Sequence, residues 1–282
     1  YTFTPLKLTY MKLIRTTAEF DKLMAENKAI ALSFRNQFIP QMGWSMIYDR
    51  EMNRYNKINI QASLTEAGNV CWALWRLAGV KGEKNIFGVP FSQFVKATAQ
   101  VVYSRRIGQG NSWLVGRLYG GIAHAYGNAS EVPYSEQFYV GGANSIRAFT
   151  VRSIGPGSYH PDKETVNGYF DETGTFKFEF NLEYRFPIYG PFHGATFIDT
   201  GNVWLLSNDP NRPGGLLKAK NFFKDLAVGT GIGLRLDIGM LVVRGDLGVG
   251  IHAPYNTGKR GYYNMESFKK SLAFHLAIGY PF

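Results

Sequence analysis

FKFEFNLEYRFPI, residues 176–188, decides the fold class of this chain. Large apolar residues occupy every second position from Phe176 to Ile188, and charged or amide residues fill the positions between them, from Lys177 to Arg185. Side chains of a β-strand alternate between its two faces. The stretch therefore predicts a long strand with one apolar face and one charged face.

The same alternation appears in SLAFHLAIGYPF, residues 271–282, where the even positions from Leu272 to Phe282 are large and apolar. Strands of this length fit a tilted crossing of a bilayer about 30 Å thick, whereas strands of a soluble sandwich usually run about five or six residues. Backbone groups that face lipid must all be hydrogen-bonded, so an all-β membrane protein closes into a barrel. We expect an all-β fold, an antiparallel transmembrane β-barrel.

About ten such strands are predicted along the chain. They lie near 3–14, 30–49, 56–76, 88–105, 112–126, 175–188, 194–206, 225–238, 240–252 and 270–282. Short and long connections alternate between them, as in bacterial outer-membrane barrels, where the short turns are periplasmic and the long loops external. The first long connection predicts a helix, because Thr16 and Glu19 have the spacing of a capping box and Phe20, Leu23 and Met24 share a helical face.

Composition narrows the possible functions. The chain has 282 residues, one cysteine (Cys71), 32 glycines and a formal charge of +10 that is spread along the sequence. A single cysteine gives neither an internal disulfide nor a cysteine-rich metal site. The alternation of apolar and polar residues is already present at Tyr1, so we expect residues 1–282 to be the C-terminal part of one barrel domain.

The connection 127–174 is unusually long for a loop without structure inside a compact domain. It is rich in glycine and aromatic residues and contains VGGANSIRAF, residues 140–149. We expect this loop to be folded into the barrel lumen.

Strand parity, the assignment of odd and even positions of a strand to its two faces, indicates which wall residues the loop contacts in the lumen. The predicted lumen wall carries Phe197, Gly201, Gly229, Gly231, Gly233, Arg235 and Asp237. Its glycines remove side chains from one lane of the wall and leave room for another backbone. We expect Arg147 to lie between two inward carboxylates, Glu183 and Asp199, because a planar guanidinium can engage both.

Four motifs resemble those of the BamA/TamA superfamily, the bacterial surface-antigen barrels of the outer membrane. Residues 141–149 resemble its Gly-Gly-x-x-Ser-(Val/Ile)-Arg-Gly-(Phe/Tyr) motif, with Ala148 in place of a glycine. Residues 197–201, FIDTG, resemble its Phe-x-Asp-x-Gly motif. NLEYRFP resembles the strand with an inward glutamate, here Glu183, and GTGIGLRLD resembles the glycine-rich strand that follows.

This resemblance covers residues 112–282 well, and residues 1–111 are similar to TamA-like barrels from Bacteroidetes. It implies a sixteen-stranded barrel that follows periplasmic POTRA domains, of which this chain would be the last ten strands. It also implies that the loop is locked to the wall. The residues expected to form the lock are Gly141, Gly142, Ile146, Arg147, Phe149, Glu183 and Asp199.

The implied function is to insert other outer-membrane proteins, or to translocate a passenger, in the outer membrane of a Gram-negative bacterium. Expected partners are nascent β-barrel proteins, the lipid bilayer and periplasmic domains absent from this chain. The strand 270–282, with Gly279 and Phe282, would form one side of a seam that opens. The alternatives are a two-partner-secretion transporter of the same superfamily and a passive porin.

Enzymatic and nucleic-acid functions are not predicted. The five histidines lack metal-ligand spacing, and neither a G-x-S-x-G elbow nor a GK[ST] phosphate loop occurs. Glu183 and Asp199 have no accompanying nucleophile for acid–base catalysis. We therefore expect no catalytic residue, metal or cofactor, and no nucleic-acid partner.

Overall fold

The computed structural model describes residues 1–26, 34–108, 110–161 and 172–282. The chain divides into two compact units. The first consists of Tyr1–Ile47, Ala62–Thr98 and Gly121–Gln137, and the second of Tyr48–Gln61, Ala99–Gly120 and Phe138–Phe282. Residues 30–33 of the second predicted strand and 162–171 of the predicted lumen loop lie outside the described residues.

Strands dominate the described residues. They are β1 (Thr2–Met11), β2 (Gln37–Asn53), β3 (Asn56–Ala67), β4 (Asn85–Ile86), β5 (Val89–Pro90), β6 (Phe94–Ile107), β7 (Ser112–Ala125), β8 (Phe176–Tyr189), β9 (Phe192–Trp204), β10 (Ala227–Asp237), β11 (Val242–His252) and β12 (Leu272–Ile278). The α-helices of the described residues are α1 (Ala18–Glu26) and α2 (Asn69–Leu77). The predicted all-β fold class is confirmed.

Within the described residues, ten strands form one sheet in the order β1-β2-β3-β6-β7-β8-β9-β10-β11-β12. Strands β8 to β12 pair with their chain neighbours in antiparallel register. This register places Asn181 opposite Asp199, and Asp199 opposite Gly229. Gly229 in turn lies opposite Gly250, so one lane of facing positions runs across four strands.

The prediction of a strand over 56–76 is wrong in its second half. Strand β3 ends at Ala67, Gly68 adopts a left-handed backbone with φ of 77°, and α2 follows. A Cβ at Gly68 would clash with the carbonyl of Ser92, so the turn requires glycine. Val70, Leu74 and Leu77 have helical spacing, which the apolar content of this segment concealed.

Two other boundaries differ from the prediction. The strand expected at 88–105 is divided into the short β5, which pairs with β4, and β6, which begins at Phe94. The predicted helix in the first long connection is present as α1, but its cap lies one residue later. The N–H of Phe20 donates to Thr17 Oγ1 at 3.3 Å, whereas Thr16 was expected to cap the helix.

The sheet buries its polar face and exposes its apolar face, the reverse of a soluble sheet. In β8, Glu179, Asn181 and Glu183 are buried. In β12, Phe274 and Leu276 are 69% and 73% exposed. We call the side of β8–β11 that carries Glu183, Asp199, Gly229 and Asp246 the buried face. An apolar exposed face of this kind fits contact with lipid.

The last residues of the chain leave the strand that was predicted over 270–282. Strand β12 ends at Ile278, and Gly279 has a φ of 82°. The chain turns there, so Phe282 does not continue the exposed apolar face on which the alternation placed it. Its ring instead lies near arginines of the buried face.

None of the helices in the described part of the chain combines the length and the apolar character needed to span a bilayer.

Candidate functional site

The segment 138–152 forms a compact, buried turn. Gly142 N–H donates to the Phe149 carbonyl at 2.8 Å, and Arg152 N–H donates to the Val140 carbonyl at 2.9 Å. Gly141 and Gly142 have φ of 93° and 90°, and a Cβ on either would clash with Thr150 or Val151. Both positions therefore require glycine.

Arg147 at the tip of this turn is completely buried against β8 and β9. Its Nε and Nη2 donate to the two oxygens of Asp199 at 2.8 and 2.9 Å, and its backbone N–H donates to Asp199 Oδ2 at 3.0 Å. Nη1 donates to Glu183 Oε2. The guanidinium also stacks on the Phe197 ring, 3.5 Å from its centroid. One arginine thus engages two carboxylates and an aromatic face.

Burial by itself would lower the pKa of the Arg147 guanidinium. The hydrogen bonds and the charge of Asp199, together with the charge of Glu183, instead raise that pKa above its ordinary value. Arg147 therefore stays cationic, and the contact with the carboxylates persists at any pH at which they are ionised.

The backbone before Arg147 is held by side chains of the strands. Asn181 Nδ2 donates both to the Ser145 carbonyl and to Asp199 Oδ1, each at 2.9 Å. Arg117 of β7 donates to Asn181 at 2.9 Å, to the Asn144 carbonyl at 3.1 Å and to Glu179 at 2.5 Å. These side chains hydrogen-bond to the carbonyls of Asn144 and Ser145 and so hold this part of the turn against the strands.

A second set of charges continues from β8 to β11. Arg235 donates to Glu183 at 3.3 Å and to Asp246 at 2.6 Å. Arg244 donates to Asp246, to the Ala143 carbonyl at 3.0 Å and to the Gly279 carbonyl at 2.9 Å. The arginine–carboxylate cluster comprises Arg117, Arg147, Arg185, Arg235, Arg244, Glu179, Glu183, Asp199 and Asp246.

Glycines of β10 and β11 allow the loop backbone to lie directly on the sheet. A Cβ at Gly229 would clash with the Cβ of Ala148, and a Cβ at Gly248 would clash with the Arg147 carbonyl. Ala148 does not have a positive φ, so its methyl group fits without backbone strain. The methyl instead occupies the space that Gly229 leaves.

The structure places the predicted lock residues together: the two glycines and Arg147 as described, and Ile146 and Phe149 buried beside them. Three predicted wall residues have other contacts. Gly201 faces Glu179, and Gly233 makes room for Arg235 and Asp246. Gly231 makes room for the Phe197 ring.

Asp237 is not part of the cluster, although parity grouped it with Arg235. Its carboxylate accepts from the Gly239 N–H at 2.9 Å and from the Tyr280 hydroxyl at 3.4 Å. The residue lies at the end of β10, where the chain turns into β11. Alternation identifies the face of a strand but not the depth along it, which is why it grouped Asp237 with cluster residues that it does not contact.

Sequence reasoning missed part of the cluster. Glu179 and Asn181 share the parity of Glu183, and Arg244 and Asp246 precede alternating glycines in RGDLGVG, residues 244–250. The same parity argument, applied to both strands, would have found these four residues. Arg117 has no comparable signal, since its role depends on the pairing of β7 with a strand far along the chain.

Phe282 contributes to the cluster through its ring. The ring centroid lies 5.3 Å from Arg117 Cζ, 5.6 Å from Arg185 Cζ and 5.9 Å from Arg147 Cζ.

We predict that Phe282→Leu lowers the free energy of unfolding by about 0.5–1 kcal/mol, because leucine has no aromatic face for these cations. Urea unfolding of the full-length protein measures the change.

Phe274→Leu is the matched control, since Phe274 lies on the exposed face of β12. An equal loss in both variants would show that apolar size, not the contact with arginine, stabilises the protein at position 282.

A family model described as the Omp85 superfamily domain matches residues 75–282. Outer membrane protein assembly factor BamA of Neisseria meningitidis serogroup B is 34% identical over 89 residues, 30% of this chain and 11% of that protein. The chain thus matches about a tenth of the length of this curated relative.

Two solved structures are similar at low identity. BamA from Haemophilus ducreyi lacking POTRA domains 1–3 has 14% identity and a TM-score of 0.42, over 86% of this chain and 55% of that chain. CdiB from Acinetobacter baumannii has 15% identity and a TM-score of 0.38, over 86% of this chain and 42% of that chain. The TamA-like character expected of residues 1–111 stays a prediction.

Proposed function

The chain belongs to the Omp85 superfamily of Gram-negative outer-membrane β-barrel proteins, and we propose that it helps nascent outer-membrane β-barrel proteins to insert. The family membership that the sequence motifs predicted is confirmed. The activity, the clients and the periplasmic partners of the full-length protein belong to the proposal, because the chain covers only part of its relatives.

The contacts of Arg147 with Asp199 and Glu183 carry the proposal. In a barrel, the buried face of β8–β11 would face the lumen, and Arg147 would hold the segment 141–149 against it. A loop fastened in this way occupies lumen space and supports the wall near β12. Such a loop favours a protein that acts on other chains over a passive pore, which needs an open channel.

Strand β12 would be one side of a seam at which a client strand pairs. Edge strands present unpaired backbone groups that accept a further strand, the binding mode known as β-augmentation. The ladder between β11 and β12 spans only Val243–Val249 and Leu272–Ile278. This short pairing, which ends at Gly279, makes the strand suited to exchange.

Depletion of the full-length protein tests the proposal. We expect the outer-membrane β-barrel proteins to fall as a group when their amounts are quantified in isolated membranes, and wild-type protein to restore them. Loss of one secreted or surface protein alone would instead identify a dedicated two-partner-secretion transporter. High single-channel conductance of the purified protein, with the other barrels unaffected, would identify a porin.

A further inference from the structure

Two loops lie at the same end of the sheet and carry an excess of positive charge. Loop A, residues 205–226, joins β9 to β10, and loop B, residues 253–271, joins β11 to β12. Together they contain eight lysines and arginines and three carboxylates. The exposed cations are Lys218, Lys220, Lys224, Lys259, Arg260, Lys269 and Lys270.

Each of the three carboxylates of these loops is either buried or paired with a cation of its own loop. Asp225 is buried beside Trp204, and Asp209 pairs with Arg212 at 2.9 Å. Glu266 pairs with Lys270. The exposed surface of the two loops is therefore strongly cationic, and the partner that complements it is anionic.

His252 at the end of β11 joins the two loops. One of its ring nitrogens lies 3.2 Å from the Lys224 carbonyl of loop A, and the other lies 2.9 Å from the Tyr262 carbonyl of loop B. Its ring stacks on that of Tyr262 with centroids 4.8 Å apart. The cations of the two loops therefore form one surface, which we call the cationic rim.

Exposed aromatic side chains are interspersed with these cations. Phe223 is 81% exposed in loop A, and Tyr262 and Phe268 are 64% and 65% exposed in loop B. Large exposed aromatic residues at the end of transmembrane strands mark the boundary between the hydrocarbon and the headgroups of a bilayer.

The cationic rim is continuous with the apolar exposed face. Only Ser271 separates Lys269 and Lys270 from β12, whose Leu272, Phe274 and Leu276 are exposed. Cations at the edge of an apolar belt lie at the depth of lipid headgroups, where they attract anionic lipids. A soluble anionic partner would not require this continuity.

We propose that the cationic rim binds the phosphate groups of an anionic lipid surface while its aromatic side chains enter the headgroup layer. The lysines and Arg260 supply the charge, and Phe223, Tyr262 and Phe268 hold the loops at the interface. This surface shares no residue with the arginine–carboxylate cluster and requires no strand exchange at β12, so it does not depend on the proposed function.

Lipid binding by the full-length protein in neutral micelles tests the proposal. Native mass spectrometry with phosphatidic acid and phosphatidylcholine measures the affinity for each lipid. We expect a preference for phosphatidic acid that weakens with salt, and a loss of about tenfold or more in the variant Lys259→Gln, Arg260→Gln, Lys269→Gln. An unchanged urea midpoint establishes that this variant folds normally.

Arg50→Gln, Arg54→Gln, Arg105→Gln is the matched control, because it removes the same charge from exposed positions near the short turns. We expect it to retain most of the affinity. Equal losses in the two triple variants, or no preference for phosphatidic acid, would overturn the proposal. Displacement of the lipid by inorganic phosphate at the same concentration would assign the surface to soluble phosphate and would also overturn it.

Discussion

Arg147→Met lowers the free energy of unfolding of the full-length protein by about 3–5 kcal/mol, because it leaves the buried Asp199 carboxylate without its cation. Asp199 loses the two hydrogen bonds from the guanidinium and keeps those from the backbone N–H of residue 147 and from Asn181. Equilibrium urea unfolding in lipid vesicles, followed by tryptophan fluorescence, measures the loss.

Arg152→Met is the matched control in the same turn. Arg152 is only half-buried, and its guanidinium lies 4.6 Å from the centroid of the Tyr139 ring. We expect this variant to lose about 1 kcal/mol or less. Equal losses in the two variants would contradict the role assigned to Arg147.

A further substitution distinguishes the stability lost through the unpaired Asp199 charge from the stability lost through packing against Phe197. Adding Asp199→Asn to Arg147→Met removes the buried negative charge that lacks a cation, so part of the lost stability should return. No recovery in the double variant would mean that Arg147 stabilises the protein through its contact with Phe197, not through Asp199.

Gly229→Ala is expected to lower the free energy of unfolding by about 1–3 kcal/mol, because the new methyl group meets the Cβ of Ala148 in a closely packed contact. The loop must then move away from β10. Limited proteolysis should cut the segment 141–152 faster in this variant than in the wild type, and urea unfolding gives the stability change.

Ala148→Gly should rescue Gly229→Ala, since it removes the methyl group with which the new side chain collides. The double-mutant cycle measures this coupling directly, and additive effects would show that the two positions do not contact each other. Gly245→Ala is the control in the neighbouring strand, where an added Cβ meets only the Phe274 ring at 3.6 Å. It should change stability little.

Much of the fold could be predicted because the strands are long and their alternation is regular. In β8 the period of two identified both the strand and its charged face, without knowledge of its neighbours. The prediction of a strand over 56–76 failed at α2, where apolar content did not distinguish a strand from a helix. The left-handed backbone at Gly68, which ends β3, is not visible in the sequence.

The candidate site was partly predictable for the same reason. Motif resemblance and parity grouped Arg147 with Glu183 and Asp199. Parity alone also placed Asp237 with them, because it cannot tell how far along a strand a residue lies. Arg117 could not be assigned, since it lies sixty-two residues from Glu179 and their contact depends on how β7 and β8 are aligned.

The sequence by itself determined which faces of the strands are charged, which positions of the turn need glycine, and to which superfamily the chain belongs. These properties follow from local periodicity and from short motifs. Only the tertiary structure decided that Ala148 lies on Gly229, that Arg244 reaches the Ala143 carbonyl, and that Phe282 turns toward the arginines. Each of these contacts joins residues that are far apart in the chain. They come within reach of each other because of the strand register, and the local sequence pattern does not specify that register.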